Sequence, residues 1–185
     1  PRLVFEAAGQ LWMTGIGSQA GAPRPLTGDD PEAVELTPSF SPDGAWVAFS
    51  TWRDAGGGHL WKVPAAGGEP VRLTEQPGTY LHPAWSLDGT SLLVTRWQAA
   101  VERLPAPGWE LVRLSASGGA AEVLRSDGPV AIVSHDASGR ILLATGGQVS
   151  SVDHDGGDRR AHVRTALPAE RVALSPDGRW LAVQQ

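Results

Sequence analysis

The chain of 185 residues carries 23 Gly, 15 Pro, 8 Trp and no Cys, and 20 acidic against 15 basic side chains give a net charge of −5. That length suffices for a sizeable core in one domain, and the charge lacks the basic stripe a nucleic-acid surface requires. Disulfides and thiolate metal sites are excluded, a cytosolic and a periplasmic home fit equally, and no apolar run approaches the ~18 residues of a membrane span, so no membrane insertion is expected.

Taken in order, Arg2–Glu6 reads as a strand lacking a partner before it, Gln10–Thr14 as the next, and Arg24–Thr27 as an outer strand after a long Gly-rich hairpin at Gly15–Pro23. A polar connector, Gly28–Glu35, leads to the clearest stretch, Leu36–Thr74. Pro38–Ser41 is a first strand and Ser41-Pro42-Asp43-Gly44 a tight turn, in which Pro fixes φ, Asp bonds its own backbone and Gly accepts positive φ. Ala45–Trp52, His59–Val63 and Val71–Thr74 are the second, third and fourth strands, separated by Gly56-Gly57-Gly58 and Ala66-Gly67-Gly68.

The unit recurs. Ser86-Leu87-Asp88-Gly89 repeats the turn, followed by strands at Leu92–Trp97, Trp109–Leu114 and Glu122–Arg125, with Ala99–Gly108 inserted as a protruding loop. A degraded copy runs through Ser134–Gly139, Ile141–Ala144, Gln148–Val152 and His162–Arg164. A last copy starts at Ser175-Pro176-Asp177-Gly178 and reaches Trp180–Val183. Four short strands per 41 to 48 residues, with almost no helical periodicity, predict an all-β propeller of four-stranded antiparallel blades. The units run roughly 36–74, 79–125 and 129–164, with partial blades at 1–27 and 167–185, in a single domain spanning 1–185. The first partial blade offers strands two to four and the last offers strands one and two. Because the second strand is present twice, a clean ring does not close, and a segment of a larger propeller is expected. Pairing of Val172–Ser175 beside Arg2–Glu6 would contradict this. Open sheet edges at both ends offer self-association with another copy.

Three stretches, PSFSPDGAWVAFST at 38–51, PAWSLDGTSLLVTR at 83–96 and LSPDGRWLAV at 174–183, resemble the TolB-type, WD-like propeller repeat. STWRDAGGGHLWKVPAAGG at 50–68, VRLTEQPGTYLHPAWS at 71–86 and DHDGGDRRAHVR at 153–164 are similar to the propeller that precedes the catalytic domain of large amidohydrolase-family proteins. The third unit departs most, with His135 in place of Pro and two residues inserted before Gly139. The resemblance implies a metal-dependent hydrolase domain outside this segment, with a His-x-His pair near its start. The five histidines here, His59, His82, His135, His154 and His162, include no such pair, so no family site residue carries over.

Each candidate has two readings. Asp43, Asp88 and Asp177 are turn formers or ligand contacts. The tryptophans Trp46, Trp52, Trp61, Trp85, Trp97, Trp109 and Trp180 fall on or beside strands. A buried indole removes about 200 Å² from water, worth about 5 kcal/mol gross, against about 0–1 kcal/mol for a surface ion pair. Aromatic packing between blades is therefore expected to hold the fold. The alternative is that Trp52 and Trp97, at the ends of second strands, line a funnel mouth and stack on a ligand. His59 ties a neighbouring loop or contacts a partner. Asp153–Asp158 is a hairpin or a calcium loop, the latter opposed by Arg164 at the twelfth position. Gly15-x-Gly17 lacks the context of a dinucleotide fingerprint, and neither a Gly-x-Ser-x-Gly elbow nor a P-loop is present. No catalytic residue, metal site or cofactor is expected. The expected role is a scaffold or binding module whose partner is a catalytic domain of the same parent or another protein. A free-standing, protein-binding, periplasmic TolB-like propeller and an enzyme acting through this segment are the alternatives.

Overall fold

The computed structural model describes residues 1–28, 30–54, 56–98, 108–125, 131–135, 140–153, 155–166, 171–174 and 179–184. The insertion at 99–107, the turns at 136–139 and 175–178 with Asp177, and His154 lie outside these residues, as does the side chain of His135. The fold is all-β, with one 3-10 turn among the described residues, Gly17–Gln19, inside the Gly-rich hairpin.

Five antiparallel sheets follow one another along the chain. The first holds β1 (Arg2–Ala7), β2 (Gln10–Gly15) and β3 (Arg24–Pro25); the second holds β4 (Val34–Phe40), β5 (Trp46–Trp52), β6 (Leu60–Pro64) and β7 (Val71–Arg72). The third holds β8 (Thr79–Trp85), β9 (Ser91–Gln98), β10 (Gly108–Ser115) and β11 (Glu122–Arg125); the fourth holds β12 (Ala131–His135), β13 (Ile141–Thr145), β14 (Gln148–Val152) and β15 (Arg160–Arg164). β16 (Arg171–Leu174) and β17 (Leu181–Gln184) form the fifth. Strand order within each sheet is sequence order. The first strands β4, β8, β12 and β16 contact one another in succession, the arrangement of inner strands around a propeller axis. Among the described residues β16 pairs with β17 and β1 with β2, and no pairing joins the first sheet to the last.

The period of two along each strand explains the stacking. Val47 and Phe49 on β5 pack with Leu11, Met13 and Leu26 of the first sheet, whereas Ala48 between them packs with Leu92, Val94 and Val112 of the third. Leu93 and Leu111 face Ile141 and Leu143, and Leu142 and Ala144 face Leu181 and Val183. Successive side chains thus serve opposite interfaces, and each inner sheet is apolar on both faces.

β4 begins earlier than the predicted Pro38–Ser41, whereas β8 begins where the 79–125 unit was expected to. β4 and β8 each cross a bulge, where Thr37 (φ +50°) and His82 (φ +54°) take the left-handed region just before Pro38 and Pro83. Such a conformation is unfavourable for a β-branched residue, and here the two bulges support each other: the His82 amide donates to Thr37 Oγ1 at 3.2 Å. The fourth strands β3 and β7 are shorter than predicted. Leu26 and Leu73 continue the ladder by one bond each, then Thr27 and Thr74 turn buried hydroxyls inward.

The Ser-x-Asp-Gly turns join first to second strands as expected, with Gly44 at φ +69° and Gly89 at φ +70°. Their serine matters more than the sequence indicates. Ser41 Oγ is buried, donates to Asp43 Oδ1 at 2.6 Å and accepts from the Trp46 amide at 2.9 Å, while Asp43 Oδ1 also accepts from the Ala45 amide. Ser86, Asp88, Thr90 and Ser91 repeat the network.

The expectation of a tryptophan core is corrected. Among the described residues the largest fully buried side chains are Leu, Val, Ile and one Phe, and Trp85 is the one buried tryptophan. The indole N–H groups find acceptors: buried Trp85 Nε1 bonds Ser39 O at 3.1 Å across two sheets, and half-buried Trp61 Nε1 bonds Thr51 Oγ1 at 3.1 Å. Trp180 is 73% exposed. Polar ties between sheets supplement the aliphatic packing. Lys62 Nζ donates to Ala116 O at 2.7 Å, and Arg113 of β10 pairs with Asp155 in the β14–β15 hairpin turn.

Candidate binding surface

Strand direction places Trp52, His59 and Trp97 at the end of the sheets opposite to the Ser-x-Asp-Gly turns. Trp52 closes β5 opposite Val34 and is 38% exposed. Trp97 occupies the same register on β9, paired with Thr79 and packed edge-on against Trp109 with ring centroids 5.5 Å apart. Between them a backbone bridge joins the two sheets, with Gly58 and Gly78 exchanging N–H···O bonds of 3.0 and 2.9 Å. Arg53, next to Trp52, pairs with Asp30 and, at 3.7 Å, with Glu32 on the connector before β4.

His59 lies just beyond that bridge. Its amide donates to Thr51 Oγ1 at 3.2 Å, and its Nδ1 is 2.9 Å from Thr74 Oγ1. The ring also meets Trp61 edge-on at 6.4 Å. Thr74 lies beyond β7, in the segment leading to β8, and is bridged to Gly119 of the third sheet, so the ring bonds a neighbouring connector. Burial, then the charge of Arg72, holds its pKa below the usual imidazole value, which leaves the ring neutral at pH 7.

A cleft of about 180 Å³ opens at the same end, lined by Gly9, Gln10, Asp30, Val34 and Glu35. Glu35 forms its floor. Its Oε2 accepts from the Leu11 amide and from Thr27 Oγ1, each at 2.7 Å, fastening the second sheet to the first. Burial raises its pKa above the ordinary carboxyl value against the lowering effect of those two bonds. A carboxyl with a raised folded pKa contributes most below its unfolded pKa, and that contribution is lost as pH rises through the folded value. Urea melts are therefore expected to show stability falling above about pH 4.5, and Glu35→Gln, which keeps an acceptor for Leu11, is expected to flatten that slope. An unchanged slope would locate the titration elsewhere.

His82 is a feature the sequence reading passed over. On inner strand β8, its Nδ1 is buried without a hydrogen-bond partner, and burial lowers its pKa. The Asp153–Asp158 segment forms the β14–β15 hairpin, its carboxylates directed to its own backbone and to arginines. Asp153 Oδ1 accepts from the Gly157 amide at 2.7 Å, and Asp158 pairs with Arg140 and Arg160 at 2.8 Å each. Among the described residues no three His, Cys, Asp or Glu side chains gather as metal ligands. The end bearing Trp52 and Trp97 offers indole surface, a neutral imidazole and paired charges, a set suited to contact with a protein or a flat apolar group.

No family model matches the chain. A stretch of 85 residues, 46% of the chain, is 35% identical to the uncharacterized peptidase YuxL of Bacillus subtilis (strain 168), of which it spans 12%. Among solved structures, a TolB-type protein of Agrobacterium tumefaciens superposes with a TM-score of 0.77 at 20% identity, covering 98% of this chain and 65% of that one. A puromycin hydrolase superposes with a TM-score of 0.69 at 21% identity, covering 99% of this chain and 33% of that one. The chain thus spans less than two thirds of each of these proteins. Sheets stacked through alternating faces, inner strands in succession and these superpositions together identify the fold as a TolB-like β-propeller.

Proposed function

We propose that this chain is a non-catalytic propeller module of a larger hydrolase, packing against the catalytic domain and restricting access to it. The observation that carries this is coverage: nearly the whole chain superposes on a third of a puromycin hydrolase. The resemblance of 50–68, 71–86 and 153–164 favours a metal-dependent amidohydrolase as the parent. The peptidase with 35% identity over 85 residues favours a second reading, a peptidase domain in the same place.

The surface around Trp52, His59 and Trp97 is the proposed contact. The test is association between this chain and the hydrolase domain of its parent, supplied as separate polypeptides. Trp52→Ala and Trp97→Ala are expected to weaken binding about tenfold each, the scale of an interface aromatic anchor, while Trp52→Ala leaves the melting temperature nearly unchanged. Absence of association, or hydrolysis by the isolated chain with added divalent metal, would overturn the proposal. Loss of the parent's activity to a chelator supports the amidohydrolase reading, and peptide-bond cleavage by the parent that survives the chelator supports the peptidase reading.

A further inference from the structure

At the opposite end of the sheets, we infer that the cleft between the two Ser-x-Asp-Gly turns is a receptor for an arginine side chain of a protein partner. The cleft measures about 240 Å³ and is lined by Asp43, Trp46, Trp85, Leu87 and Asp88. It is smaller than the ~300–1,000 Å³ of small-molecule sites, a size suited to one side chain. The turns abut, since a Cβ on Gly89 would stand 3.9 Å from Pro42 Cδ.

The fold supplies its own precedent one sheet earlier. There Arg2 of β1 lies over the Phe40 ring, 5.6 Å from its centroid, and its Nη2 donates to Gly44 O of the first turn at 2.6 Å. By strand register Trp46 stands on β5 where Arg2 stands on β1, and Trp85 stands before the second turn where Phe40 stands before the first. The second junction therefore keeps the aromatic wall and the turn but has exchanged the guanidinium for an indole. Two exposed carboxylates now face the vacated space.

Each carboxylate spends one oxygen on its turn, and among the described residues the second oxygen of Asp43 and of Asp88 meets no hydrogen-bond donor. The hydrogen bond from Ser86 holds Asp88 down to about 2, and that from Ser41 lowers Asp43, so both are ionised at ordinary pH. Lys62, 4.5 Å from the Trp46 ring centroid, is committed to Ala116 O. Leu87, 62% exposed, offers an apolar rim for the stem of the incoming side chain. An arginine suits the site better than a lysine, because its planar head stacks on indole while it donates to two acceptors. The inference stands independently of which catalytic domain accompanies the propeller.

The test follows the tryptophan indole N–H signals of the ¹⁵N-labelled chain during titration with N-acetylarginine amide. The expected result is a saturable shift at Trp46. N-acetylcitrulline amide, isosteric but neutral, is expected to bind at least about fivefold more weakly, and Asp43→Asn or Asp88→Asn to weaken the arginine probe at least about threefold. Asparagine keeps Oδ1 for the turn bonds, so both variants should fold. Leu87→Arg, a change at an exposed position, should occupy the cleft from within and block the probe. Equal binding of the citrulline probe, undiminished binding by the Asn variants and L87R, or shifts confined to Trp52 and Trp97 would overturn the inference.

Discussion

Replacing Gly58 with alanine is expected to destabilise the protein by about 3–5 kcal/mol, combining an overpacking cost with the loss of two backbone bonds. For a chain of this size that lowers the melting temperature by roughly 10 °C. The cause is space. A Cβ at this position would lie 1.7 Å from Thr51 O and 2.7 Å from Thr51 C, and both are backbone atoms that cannot swing aside. To admit the methyl group, either the β5–β6 hairpin opens or the bridge to Gly78 breaks, and that bridge joins two sheets. Gly28→Ala is the control, because nothing lies within 4 Å of its added Cβ. It is expected to melt with the parent protein. Equal losses at the two positions would show that chain entropy, not the close approach, sets the cost.

Arg96→Ala carries the second large effect, about 3 kcal/mol, at the lower end of the range for breaking a buried ion pair because some solvent reaches it. Arg96 Nε and Nη2 both donate to Glu110 Oε2, at 2.9 and 2.6 Å, with the two side chains 15% and 14% exposed. Removing the guanidinium leaves the Glu110 carboxylate in a site with little water. Most of the cost belongs to that stranded charge, so adding Glu110→Leu to Arg96→Ala should restore a large part of the stability. A double-mutant cycle in urea measures this. Simple additivity of the two losses would show that the pair is not coupled and that each side chain acts through packing alone.

The architecture was readable where one physical signal dominated. Apolar alternation between a Ser-x-Asp-Gly turn and a Gly-rich hairpin located β5, β6, β9, β10, β13 and β14 within a residue or two. The start of β4 was hidden because Thr37-Pro38 looks like a strand breaker, whereas in three dimensions it is a bulge bonded to its counterpart at His82. Tryptophan was overrated as core for a related reason. Its area argues for burial, but its N–H needs an acceptor, and near a sheet margin Trp61 finds one in the Thr51 hydroxyl. Strand position put Trp52 and Trp97 at one end from the sequence alone, whereas His59 was read separately, and its place at the same end needed the fold. The buried Glu35 had no local sign, because its partners Leu11 and Thr27 belong to the preceding sheet. Ser41 and Ser86 did have one: a serine two positions before the turn aspartate, repeated in sequence at Ser175.

The alternation of apolar faces has a thermodynamic corollary. A sheet flanked on both sides draws stability from two neighbours, whereas the first and fifth each lean on one within this chain. Opening should then proceed from the flanks inward, like a stack of plates losing its outer members first. Amide hydrogens of β5, β9 and β10 should exchange with solvent most slowly and those of β1 and β17 fastest. Any protein surface clamped against an outer sheet would slow exchange there and, through the shared side chains, progressively deeper in the stack.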